Sequence, residues 1–160
     1  MEQTQLAGTT MALGNFTLTG ITGAATTHSS AAMPYAIRGK AFTHAADAGV
    51  ATPTVDAVTG APITLTANQA RLVLWCLDAA DANRCIAGPV VPLDSSGNFI
   101  GDAPAFPNVP DTLCPVAYTI HRAGSTTVGT WTFGVSNWNA TGLTHTVVNI
   151  ATLPDRPQTS

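Results

Sequence analysis

The sequence predicts an all-β fold, an antiparallel sandwich or jelly-roll-like barrel with an extended N-terminal arm. Three observations carry that expectation. The 160 residues include 25 Thr, 26 Ala and 14 Gly but one Lys (Lys40) and one Glu (Glu2), and only 9% are charged. An average soluble domain has about 25% charged residues. Long charged side chains normally solvate helix surfaces, so a helical bundle is disfavoured. Second, Thr, Val and Ile carry the branched β-carbon that packs well on a pleated face. Third, 11 Pro and 14 Gly supply frequent turns between short extended runs.

The elements follow in order. Residues 1–32 hold few bulky side chains beyond Leu6, Leu13, Phe16, Leu18 and Ile21. They read as an extended arm that buries little by itself and docks on a neighbour, with Leu13–Ile21 as one loose strand. A single β-rich domain then occupies 33–160. Tyr35–Thr43 reads as a strand or a tight hairpin around Gly39. Leu72-Val-Leu-Trp-Cys-Leu77 is the strongest apolar run. Thr66-Ala-Asn-Gln69 before it has the form of a helix-starting capping box, so a buried strand competes there with a short helix. Ile86–Val91 is a partner strand interrupted at Gly88-Pro89. Residues 94–98 form a polar turn, and residues 101–115, with Pro104, Pro107, Pro110 and Pro115, form a loop. Val116–His121 and Val128–Val135 read as a hairpin about Arg122–Thr126. Thr146–Leu153 is the last strand.

The formal net charge of −3 comes without a basic stripe, which argues against nucleic-acid binding. No apolar run reaches the roughly 18 residues of a membrane helix. No Lys or Arg precedes Arg38, so a basic signal-peptide start is missing. A surface so poor in charge is easiest to tolerate when part of it is covered in an oligomer or a larger assembly. Cys76, Cys85 and Cys114 make an odd set. Cys76 and Cys85 can pair only if a hairpin aligns them, and buried reduced thiols are the favoured reading.

The residues that carry chemistry are dispersed. His28, His44, His121 and His145 lack metal-ligand spacing, and His121 reads as a hydrogen-bonded strand-edge residue. Asp47, Asp56, Asp78, Asp81, Asp94, Asp102 and Asp111 all neighbour turn-forming residues, where Asp bonds its own backbone. The Asp94-Ser-Ser-Gly-Asn98 turn departs from a calcium loop in its glycine placement and in Ala105 at the twelfth position. No nucleophile elbow and no phosphate-binding loop occur. The expectation is a protein without catalytic, cofactor or metal residues. Trp138, between Asn137 and Asn139, is the aromatic best placed to face a partner.

Several stretches resemble structural proteins encoded by tailed phages and prophages: VLWCLDA at 73–79, PDTLCPVAYTIHRAGST at 110–126, VGTWTFGVSNWNATGLT at 128–144 and VVNIATLPDRPQ at 147–158. The resemblance runs from about Tyr35 to Pro157 and is to a family look, with no motif for an activity. It implies a virion component made in the host cytoplasm, of the capsid decoration or cement type. Such proteins sit as trimers or dimers on the capsid surface and clamp adjacent major capsid protein subunits. On that reading the arm residues Leu6, Leu13, Phe16, Leu18 and Ile21, with Trp138, are the candidate partner contacts. The alternative is a receptor- or glycan-binding head, fibre or baseplate component, carried by Trp138 and the 101–115 loop.

Overall fold

A computed structural model describes residues 8–153. These residues form strands, turns and loops without a helix. In chain order the strands are β1 (Met11–Ala12), β2 (Thr27–Ser30), β3 (Met33–Ile37), β4 (Lys40–His44), β5 (Asp47–Ala51), β6 (Thr64–Leu65), β7 (Gln69–Leu77), β8 (Asn83–Pro92), β9 (Cys114–Ala123), β10 (Trp131–Thr132) and β11 (Leu143–Asn149). Every strand pair is antiparallel. Among the described residues no helix is long and apolar enough to cross a membrane.

The centre is a four-stranded sheet in the order β11-β9-β7-β8. Strand β7 is buried on both faces, which is why Leu72–Leu77 reads as an unbroken apolar run rather than an alternating one. Val73, Trp75 and Leu77 face a larger core, where the small sheets β1-β3-β4, β2-β5 and β6-β10 supply the opposing layer of a β-sandwich. Leu72, Leu74 and Cys76 face a smaller core closed by Phe99 and by Phe106, Val109 and Leu113 of the proline-rich loop. That loop lies tight on the sheet at Gly88, where an added Cβ would sit 2.6 Å from the Ala105 carbonyl oxygen. The helical alternative for this region is excluded. Thr66 N–H does donate to Gln69 Oε1 at 2.9 Å, but Asn68 turns left-handed (φ 60°) and Gln69 begins β7.

Other expectations hold or change for local reasons. Arg38 and Gly39, both left-handed (φ 52° and 78°), make the tight β3-β4 hairpin, as the sequence predicts. The hairpin of 116–121 with 128–135 does not form. Gly124 N–H donates to the Gly142 carbonyl, which closes β9 directly onto β11, and residues 125–141 leave the sheet. Within them only Trp131–Thr132 is a strand, paired with β6. Leu13–Ile21 is likewise not one strand, because Thr17 (φ 51°) and Gly20 (φ 86°) turn the chain.

The described part of the 1–32 segment is built into the domain. Met11 and Ala12 pair with β3, Thr19 bridges Ser29, and Ala12, Phe16, Leu18 and Ile21 are buried in the larger core. A few apolar residues at the correct spacing suffice to anchor a segment that composition alone marks as weakly apolar. The boundary drawn at residue 32 therefore runs through a shared core. Leu6 lies outside the described residues.

Candidate functional site

The four histidines, far apart in sequence, come together in two pairs, one packed on the Trp75 ring and one linked to its indole N–H through Thr119. The first pair lies where β2, β4 and β5 meet the turn before β8. His44 Nδ1–H donates to Asp81 Oδ1 at 2.6 Å, and Ala45 N–H donates to Asp81 Oδ2 at 3.0 Å. His44 Nε2 is 2.9 Å from Ser30 Oγ, which also donates to Asp47 Oδ2 at 3.3 Å. Asn83 Nδ2 donates to the same Asp47 oxygen at 2.6 Å. His28 completes the group. Its Nδ1 is 3.2 Å from Thr52 Oγ1, while its Nε2 has no hydrogen-bond partner and lies 3.7 Å from Asp47 Oδ2. Burial pulls the His28 imidazole down to about 4, against the opposing pull of Asp47 and with a further push from His44.

Ser30, His44 and Asp81 reproduce the connectivity of a nucleophilic triad, serine to one imidazole nitrogen and carboxylate to the other. The surroundings oppose that chemistry. The Asp47 carboxylate accepts from Ser30 Oγ at 3.3 Å, which draws the serine proton away from His44 and sets negative charge beside the hydroxyl. Ser30 is buried, and the adjoining groove of about 500 Å³ between 50–55 and 81–85 is lined by Asp47 and Asp81 rather than by Ser30 or His44. The cluster ties β2, β4 and β5 to the 78–83 turn.

The second pair joins β9 to β11. His121 is fully buried, between Trp131 (ring centroids 5.1 Å), Phe133 (5.3 Å) and Trp138 (5.8 Å). His121 Nδ1 is 2.7 Å from His145 Nδ1, and His145 Nε2 is 2.6 Å from the Trp138 carbonyl oxygen. His121 Nε2 is 2.7 Å from Thr119 Oγ1, and Trp75 Nε1–H donates to that hydroxyl at 3.1 Å. The proton positions follow from the partners. A carbonyl only accepts, so His145 Nε2 carries a proton, and neutral His145 accepts at Nδ1. His121 Nδ1–H then donates to His145, and Thr119 O–H donates to His121 Nε2. Burial holds both imidazoles below their ordinary range, His121 far below it. The result is one directed chain from Trp75 to the Trp138 carbonyl with every bond filled.

Among the described candidate partner contacts, Phe16, Leu18, Ile21 and Trp138 are buried in the larger core, and only Leu13 is exposed, at 51%. Trp138 is held inside because its Nε1–H donates to the Thr27 carbonyl at 3.0 Å and its ring stacks on His121. It offers no glycan platform. His121 is a core residue rather than an edge one, because β11 covers it. Asp56, Asp78 and Asp94 accept nearby backbone N–H bonds, as turn residues do. The three cysteines are free. Cys76 and Cys85 point to opposite faces of the central sheet, into different cores, so the hairpin that aligns their strands keeps their sulfurs apart.

The sequence search missed both histidine pairs because their members share no local spacing. Two signals were present: Thr119 and His121 fall on one strand face, and His44 lies three residues before Asp47. Among the described residues no group of three or more His, Cys, Asp or Glu side chains is placed to hold a metal ion. No protein-family model, no curated protein and no solved structure matches this chain.

Proposed function

We propose that the chain is a non-enzymatic structural subunit of a tailed-bacteriophage particle, a decoration protein that stabilises the capsid by clamping neighbouring major capsid subunits. The observation that carries this reading is a surface with little charge and several bare apolar side chains. Val128 is 91% exposed, Val135 61% and Ile100 57%. Covering such groups against a capsid contributes about 25 cal/mol per Å² before ordering costs. Contacts of this kind also tolerate salt, since few of them are ionic. The candidate contact surface moves accordingly from the buried arm residues to Leu13 and these exposed side chains.

The test is the composition and heat resistance of purified particles. The reading expects this chain at a copy number proportional to the major capsid protein, and earlier thermal release of DNA from particles lacking it. Particles that contain none of it, or that release DNA at the same temperature without it, overturn the proposal.

A further inference from the structure

We propose that β11 is a self-pairing edge, through which two copies of this chain join their central sheets into one continuous sheet across a twofold axis. The inference deepens the oligomeric reading above by naming its interface.

The two edges of the central sheet differ. At β8 several outward groups are taken. Ala57 N–H donates to the Cys85 carbonyl and Ala87 N–H to Asp56 Oδ2, and Pro89 and Pro92 bring no N–H. Proline and a covering loop are the usual protection of a strand edge. Such cover reaches only the C-terminal end of β11, where Leu18 N–H donates to Asn149 Oδ1 and Ala12 N–H to the Ala151 carbonyl. Its sequence, Leu143-Thr-His-Thr-Val-Val-Asn149, has no proline and no Asp, Glu, Lys or Arg.

The pairing geometry fixes which groups are open. Gly142 O accepts from Gly124, and Ile150 N–H donates to Val116 O, so even-numbered residues turn their backbone groups toward β9. Odd-numbered residues turn theirs outward. Leu143 N–H is used by the Ala140 carbonyl. For His145, Val147 and Asn149, the outward N–H and C=O make no hydrogen bond among the described residues. These three positions are self-complementary. With the twofold axis at Val147, Val147 faces its own copy and His145 faces Asn149 of the second copy. Every outward donor then meets an outward acceptor. The strand carries no formal charge, so no like charges meet across the axis. Thr146 and Val148 fall opposite each other in the same register. The occupant fitted by this edge is therefore a second copy, joined isologously.

The experiment uses the full chain in solution, with mass from light scattering and backbone amide exchange by NMR. The expected result is a dimer in which the outward amides of His145, Val147 and Asn149 are protected about as well as those of Thr146 and Val148. Val147→Pro removes an outward N–H without touching the β9 ladder, and Thr146→Lys places a charge beside the axis. Both variants are expected to be monomers with native tryptophan fluorescence. A monomeric parent chain, or a dimer whose β11 amides exchange freely, overturns the interface. Its failure is distinguishable from failure of the particle role. A monomer that still incorporates into particles removes only the interface, whereas a β11 dimer absent from particles removes only the particle role.

Discussion

The two histidine pairs are built from the same residue type, one packed on Trp75 and the other linked to its indole N–H through Thr119, yet they handle charge differently. His28 lies T-shaped against Trp75 at 4.8 Å, and His28 and His44 share the Asp47 carboxylate at 3.7 Å, with Asp81 on the far side of His44. The groups in contact with His121 are Thr119, Trp131, Phe133, Trp138 and His145, none of them acidic. A buried imidazole beside a carboxylate can gain a proton against a partner. An imidazole in an aromatic cage is kept neutral, and its polarity is absorbed by a directed hydrogen-bond chain. The difference teaches that the first pair couples the structure to its surroundings, while the second closes the core.

The sharpest way to break this contrast is His121→Ala. It empties a fully buried site and orphans Thr119 and His145, so a loss of about 3 kcal/mol or more is expected in urea unfolding. A loss under about 1 kcal/mol would mean that the chain from Trp75 to Trp138 holds nothing together.

Next comes the response to acid. His28, His121 and His145 all have folded values below the ordinary 6.5. The unfolded chain therefore binds more protons than the folded one as pH falls through this range. The stability contributed by neutral imidazoles is present above about 6.5 and declines with falling pH. The share from His28 is spent by about 4, and His121 and His145 add to the decline in the same direction. Denaturant midpoints measured against pH are expected to fall on acidification. In His28→Gln the upper part of that fall flattens, and an unchanged profile would remove His28 from the account.

A smaller effect is expected from Asp81→Asn, which keeps the side-chain shape but weakens the 2.6 Å bond to His44. The pair is partly exposed, so the cost is about 1 kcal/mol at neutral pH, read as a lower melting temperature. Trp138→Phe removes the bond from the indole N–H to the Thr27 carbonyl and keeps most of the ring. It is expected to cost about 1 kcal/mol or less, with the His145 Nε2–H resonance retained in NMR. Loss of that resonance would show that the indole, and not the carbonyl, fixes the His145 tautomer.

Much of the fold was legible in the residues. Leu72–Leu77 reads as a doubly buried strand because nothing polar interrupts it, and Gly39 marks its hairpin because that turn requires left-handed backbone. The 128–135 segment misled because its alternation is that of a strand, while Gly129 and Gly134, both left-handed (φ 70° and 69°), break it. Residues 8–32 misled because small polar residues dominate them, although Ala12, Phe16, Leu18 and Ile21 fix the segment in the core. The histidine pairs were not legible. His121 meets His145 only because Gly124 and Gly142 close β9 onto β11 in register.

The sequence by itself determined an all-β fold, sandwich or barrel, since scarce long charged side chains and abundant branched ones leave helices little support. It also marked the turns, because glycine, proline and aspartate impose local geometry. Only the tertiary structure decided which side chains are buried together: that Trp138 faces inward, that Cys76 and Cys85 are kept apart, that four scattered histidines form two pairs, and that β11 is left with an open edge. The physical reason is that those outcomes depend on strand register and sheet order, which are set by contacts between residues far apart in the chain.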